Sequence, residues 1–183
     1  MRRGFLYLAL VAFAARADAA TIDDVQGHYV GTWSNTTFSS TDTATIDLAI
    51  AGSQLTGTFS MGGSILGGYV QPTPLQLVGT LAGDDATFNG SPGTLYGTVA
   101  GTIHGSTGAF DFTLSALENP SIVGVAVNGT IVNHVMDLTY DVTIMSFGVA
   151  SGVLHAPEAD SAASGVAAGA ALLLVGRVQR SRR

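Results

Sequence analysis

Val132-Asn133-His134-Val135-Met136-Asp137-Leu138-Thr139-Tyr140-Asp141-Val142-Thr143-Ile144 alternates almost without a break between two kinds of side chain. On an extended chain Val132, His134, Met136, Leu138, Tyr140, Val142 and Ile144 share one face, and Asn133, Val135, Asp137, Thr139, Asp141 and Thr143 share the other. A two-residue period is that of a half-buried antiparallel strand, so this stretch predicts one strand with an apolar inner face. The same period recurs upstream. Ile46, Leu48 and Ile50 alternate with Thr45, Asp47 and Ala49, and Phe110, Phe112 and Leu114 alternate with Asp111, Thr113 and Ser115. Between Ala20 and His155 no stretch sustains the period of an amphipathic helix.

A Gly-Thr step sits inside several of these runs, as in Leu55-Thr56-Gly57-Thr58-Phe59, Leu77-Val78-Gly79-Thr80-Leu81 and Val127-Asn128-Gly129-Thr130-Ile131. In each, the glycine shares a face with apolar neighbours two residues away. It removes a side chain from the concave side and lets the strand coil sharply. Threonine on the opposite face suits a strand and tolerates water. Turn signals between the runs are short: Gly52-Ser53, Gly83-Asp84-Asp85, Asn89-Gly90, Gly105-Ser106, Asn119-Pro120 and Ser146-Phe147-Gly148. Met61 to Pro74, with two Gly-Gly pairs, reads as a longer connection. About eight strands at hairpin spacing predict an all-β antiparallel meander, as a closed barrel or alternatively a β-sandwich. Closure is favoured because it hides strand edges that no Lys or Arg is present to guard.

The placement of charge divides the chain. All 7 basic residues lie at the ends, in Arg2, Arg3 and Arg16 and in Arg177, Arg180, Arg182 and Arg183, and the formal net charge is −6. From Ala17 to Gly176 there is no Lys or Arg, while carboxylates recur from Asp23 to Asp141. Such a surface repels phosphate backbones, which excludes nucleic acid as a partner. With Cys at 0, disulfides, thiol nucleophiles and thiolate metal sites are excluded as well.

Both flanks read as address segments, with a hydrophobic helical stretch in each. Residues 1–19 have the parts of a signal peptide: Arg2 and Arg3, an apolar run from Gly4 to Ala15, and Ala17 and Ala19 as the small residues of a signal peptidase site. The run is shorter than the roughly 20 residues of a spanning helix, although an N-terminal anchor is the alternative. Residues 156–183 mirror this order with a short motif, an apolar run from Gly165 to Gly176, and a basic stop at Arg177, Arg180, Arg182 and Arg183. A helix over that run reaches about 18 Å against a hydrocarbon core of about 30 Å, so it forms at best a short transmembrane segment. Ala156-Pro157-Glu158-Ala159-Asp160, followed by this run, resembles the PEP-CTERM sorting signals that exosortases recognise in Gram-negative bacteria with extracellular polysaccharide. Pro157, Glu158 and Asp160 match the Val-Pro-Glu-Ile-Asp variant, whereas Ala156 and Ala159 depart from it. The resemblance implies export to the cell envelope or beyond, with signal peptidase and an exosortase-type membrane protease as partners and extracellular polysaccharide as a candidate one. An ordinary tail anchor is the alternative.

Residues 20–155 are then the mature β-barrel-like domain. Gly31-Thr32-Trp33-Ser34-Asn35, with Leu55 to Phe59 after it, is similar to the opening of avidin-like and lipocalin-like barrels, which carry Gly-x-Trp at the barrel base. The avidin-like biotin site draws on further tryptophans, and this chain has one Trp in all. Trp33, His134 and Tyr140 are the candidate ligand pocket on the inner face. The other reading of His134 is a locally hydrogen-bonded histidine. Asp23-Asp24 and Asp84-Asp85 are carboxylate pairs suited to solvated turns or, alternatively, to Ca²⁺. No nucleophile elbow, zinc-protease motif or phosphate loop is present, and no pattern requires a cofactor or metal. The expectation is a non-enzymatic envelope domain, with a small-molecule-binding barrel second and a secreted hydrolase third.

Overall fold

A computed structural model describes residues 20–63, 73–93 and 95–159. A short 3-10 turn, Ile22–Val25, precedes ten strands: β1 (Gly27–Asn35), β2 (Ser40–Ala51), β3 (Gln54–Met61), β4 (Leu75–Ala82), β5 (Asp85–Gly93), β6 (Gly97–His104), β7 (Ala109–Ser115), β8 (Ile122–Val132), β9 (Val135–Ile144) and β10 (Gly148–Pro157). Each pairs antiparallel with its neighbours in sequence, and β1 pairs with β10, so the meander closes into a barrel. The ladder from Ala51 through Gln54, Thr80, Thr102 and Thr139 circles the wall and returns to β2 at Thr41. That offset is a shear of about ten residues, which tilts the strands and sets the barrel's width.

The expected closed all-β barrel stands, and the sandwich alternative falls. The strand number is ten rather than about eight. Two expected boundaries move: Asn89-Gly90, expected as a turn, lies inside β5 beside a bulge, and β10 runs past the expected domain boundary at His155. The flanking hydrophobic segments, with Ala17, Ala19, Asp160, Arg177, Arg180, Arg182 and Arg183, lie outside the described residues. Among the described residues no helix is long and apolar enough to cross a membrane.

The period of two holds along most of the wall and lapses at the end of β5, beside its bulge. Tyr29, Trp33, Ala44, Ile46, Leu55, Phe88, Val99, Ile103, Met136 and Leu154 are buried inside, while Thr32, Thr43, Thr56, Thr80, Thr98, Asp111 and Thr139 face out. A hydroxyl- and carboxylate-bearing exterior around an apolar interior is the reverse of a lipid-facing barrel, whose outer band is apolar.

The strand starting at Gly27 rises from a plugged end. There Ile22 and Val25 are buried beneath the barrel. Asp24 accepts the Thr21 N–H at 2.7 Å, Asp84 accepts the Ile22 N–H at 2.7 Å, and Gln26 accepts the Ile50 N–H at 2.9 Å. Asp24 therefore caps the plug from within, while Asp84 and Gln26 tie it to the wall. Tyr29, fully buried above them, donates its hydroxyl proton to the Val25 carbonyl at 3.0 Å. Burial, and then the charge of Glu158, push its phenol up from 10.0 to about 12.

A raised phenol favours the folded state only while the unfolded chain keeps the same proton. Stability is thus flat below about pH 10 and falls as pH climbs from about 10 to 12, by roughly 2–3 kcal/mol. Urea unfolding midpoints measured from about pH 8 to 12 should trace that fall. Tyr29→Phe should be less stable at neutral pH by about 1 kcal/mol, for the lost hydrogen bond, and show a shallower alkaline slope. An alkaline slope unchanged in that variant would remove Tyr29 as its cause.

Candidate functional site: an uncharged cavity in the barrel

The Gly-Thr steps acquire a physical cause once the register is known. Gly79 lies opposite Phe88, Gly101 opposite Phe112, Gly129 opposite Phe110, and Gly152 opposite Tyr140. In each pair a Cβ on the glycine would run into the ring across from it; at Gly79 the ring atoms of Phe88 lie 2.7–2.9 Å from where it would stand. Each ring uses the space its glycine vacates and lies against the wall. Such pairings also restore packing that glycine in a strand forfeits. The rings contact one another, Phe88 edge-on to Phe112 at 5.1 Å and Phe110 beside Phe112 at 5.8 Å between centroids.

With the rings flattened outward, the middle of the barrel is left open as a cavity of about 230 Å³. Phe88, Phe110, Phe112, Leu138, Val127 and Ile103 form much of its wall. It reaches the end opposite the plug, where Leu95 and Tyr96, between β5 and β6, and Leu117 and Asn119, between β7 and β8, also line it. Its polar side chains are those of Thr58, Tyr96, Asn119 and Tyr140, and among the described residues no Asp, Glu, His, Lys or Arg lines it.

Of the three residues expected to form a pocket, only Tyr140 lines this cavity. Its hydroxyl donates to the Ser34 carbonyl at a long 3.4 Å. Burial pushes the phenol up, and a hydrogen bond from the Asn35 side chain opposes the rise. Trp33 is fully buried in β1, with its Nε1–H donating to the Gly62 carbonyl at 3.1 Å, and lies outside the cavity wall. His134 is displaced further. Asn133 and His134 both have positive φ, 52° and 61°, and form the two-residue turn between β8 and β9. The single strand expected from Val132 to Ile144 is thus a hairpin corner followed by β9. Val132 is exposed, and only from Met136 onward do the even-numbered residues point inward. His134 instead meets the Glu158 carboxylate, Nδ1 to oxygen 2.6 Å, and its carbonyl accepts the Glu158 N–H at 2.7 Å.

Pro157 and Glu158, the motif residues at the C-terminal boundary, belong to the folded barrel. Pro157 pairs with Val135 at the end of β10, and Glu158 bridges to Tyr29. The other three histidines also meet carboxylates across a strand pair, His28 with Asp47 at 2.5 Å, His104 with Asp85 at 3.1 Å, and His155 with Asp137 at 2.6 Å. All three pairs are about half exposed on the outer wall and contribute little to stability. No group of three metal-ligating side chains occurs among the described residues.

Sequence reasoning offered a pocket on the inner face but missed most of its lining, because the signal for it was divided. The glycine positions and the aromatic positions were each visible, but their pairing depends on register. Comparison with protein-family models and with curated proteins gives no match for this chain.

Proposed function

We propose that this chain is an exported, non-enzymatic barrel that holds a small apolar molecule in its interior. The supporting observation is the cavity of about 230 Å³ with an uncharged wall. Unfilled apolar volume is costly: at the rate found for core truncations, it forfeits on the order of 5 kcal/mol. A barrel serving only as a structural module would gain by filling that space with larger side chains, so the cavity favours a carrier over a purely structural envelope domain. Among the described residues the wall holds no nucleophile–base pair, which supports a binding role over a hydrolase. Export rests on the flanks, where signal peptidase and an exosortase-type protease are the proposed partners in a Gram-negative envelope.

By proportion to a cavity of about 150 Å³ that takes up benzene, this one has room for roughly nine non-hydrogen atoms. Toluene should therefore bind. It should shift the methyl NMR signals of Ile46, Ile103 and Ile131, which line the cavity, and raise the melting temperature with concentration. Gly79→Ala pushes the Phe88 ring inward and should weaken toluene binding about tenfold while the protein stays folded. Absence of any shift at saturating toluene would refute the carrier reading. Mass spectrometry of the native protein tests export: its ends should lie near Ala20 and Pro157, and retention of Arg182 and Arg183 would contradict the proposed processing.

A further inference from the structure

The polarity of the cavity restricts what it can hold. An anionic ligand buried in such a place needs a cation or several hydrogen-bond donors, and without them its desolvation penalty stands uncompensated. No cation lines the wall among the described residues, and none can be supplied from the domain, since residues 17–176 contain no Lys or Arg. The four histidines sit on the outer wall or at the plugged end, each already facing a carboxylate. The acidic domain adds a repulsive field against any anion that approaches.

One place in the wall is equipped for a single neutral polar group. Tyr140 lines the cavity, and its hydroxyl is held loosely from the wall side, by the long contact to the Ser34 carbonyl and by the Asn35 side chain. Directly behind it, Asn35 and Ser40 face each other across β1 and β2. Asn35 is 1 % exposed, its Oδ1 accepts the Thr37 and Phe38 N–H groups at 3.0 and 2.9 Å, and its Nδ2 lacks a hydrogen-bond partner of normal geometry. The Ser40 hydroxyl is likewise buried and unpartnered among the described residues. Buried polar groups left in this state are uncommon and call for an explanation.

We propose that the cavity selects an uncharged, elongated apolar molecule with one hydroxyl or carbonyl oxygen, which Tyr140 anchors, and rejects the matching carboxylate. The long 3.4 Å donation to Ser34 is weak, so a ligand carbonyl competes for the Tyr140 proton, and a ligand hydroxyl can donate to the phenol oxygen. Asn35 holds the phenol from behind. This inference rests on the carrier reading, and the test separates the two.

Octan-1-ol, methyl octanoate and sodium octanoate, each titrated near neutral pH, form a matched set close to the cavity's capacity. The readout is the same set of isoleucine methyl signals used for toluene. Octan-1-ol and methyl octanoate should bind, and octanoate should bind at least about 100-fold more weakly. Tyr140→Phe should lose about fivefold more affinity for octan-1-ol than for toluene, a split that general damage to the fold would not produce. Octanoate binding within tenfold of octan-1-ol would overturn the selection for neutral ligands while leaving the carrier reading in place. Equal octan-1-ol affinity in Tyr140→Phe would overturn the anchor. Failure of toluene and octan-1-ol alike would overturn both the inference and the reading beneath it.

Discussion

Four residue pairs, Thr32 with His155, Trp33 with Leu154, Ser34 with Val153 and Asn35 with Gly152, join the first strand to the last. Without this seam β1 and β10 would be two free edges, with rows of unpaired amides and no charged side chain to protect them. Glycine makes the close approach feasible. A Cβ at Gly31 would overlap the His155 carbonyl and the Ala156 Cα, and one at Gly152 would overlap the Tyr140 ring and the Ser34 carbonyl. The seam is reinforced at its far end, where Thr36 donates its hydroxyl to the Ser151 carbonyl at 2.9 Å across 115 positions of sequence. Closure over such a separation forms late and slowly in folding, because the loop entropy is lost before the contacts are made.

Everything inside the barrel follows from closure combined with the glycine pattern. A shear of about ten residues makes a barrel wide enough that side chains need not meet at the centre. The glycines opposite Phe88, Phe110, Phe112 and Tyr140 then let the largest inner rings lie flat on the wall. Polar chemistry is sorted with equal consistency. Threonines and the histidine–carboxylate pairs occupy the outside, Asp84 holds the plug that Asp24 caps, and among the described residues the polar side chains of the cavity are hydroxyls and one amide.

Much of this architecture is legible in the residues themselves. Alternation in Ile46 to Ile50, Phe110 to Leu114 and Met136 to Ile144 specifies strands and their inner faces, and the Gly-Thr steps specify curvature. Two features resist such reading for physical reasons. A two-residue turn is short enough that alternation seems to run straight through it, so Asn133-His134 hides a corner at which the inward phase switches from Ile131 to Met136. Asn89-Gly90 has the composition of a turn but sits in β5 beside a bulge, where glycine is also tolerated. Both errors bear on the site. The first placed His134 inside the barrel, and the second put a turn within β5, the strand that carries Phe88. Tyr140 was legible because it lies beyond the corner, where the phase is regular.

A crystal structure determined under xenon pressure bears most directly on the central claim, that closure and glycine–aromatic pairing leave an apolar space within the barrel. Xenon occupies dry apolar cavities of this size. The account predicts xenon density bounded by Phe88, Phe112, Leu138 and Ile103. An interior filled by those side chains, with no xenon inside, would contradict it.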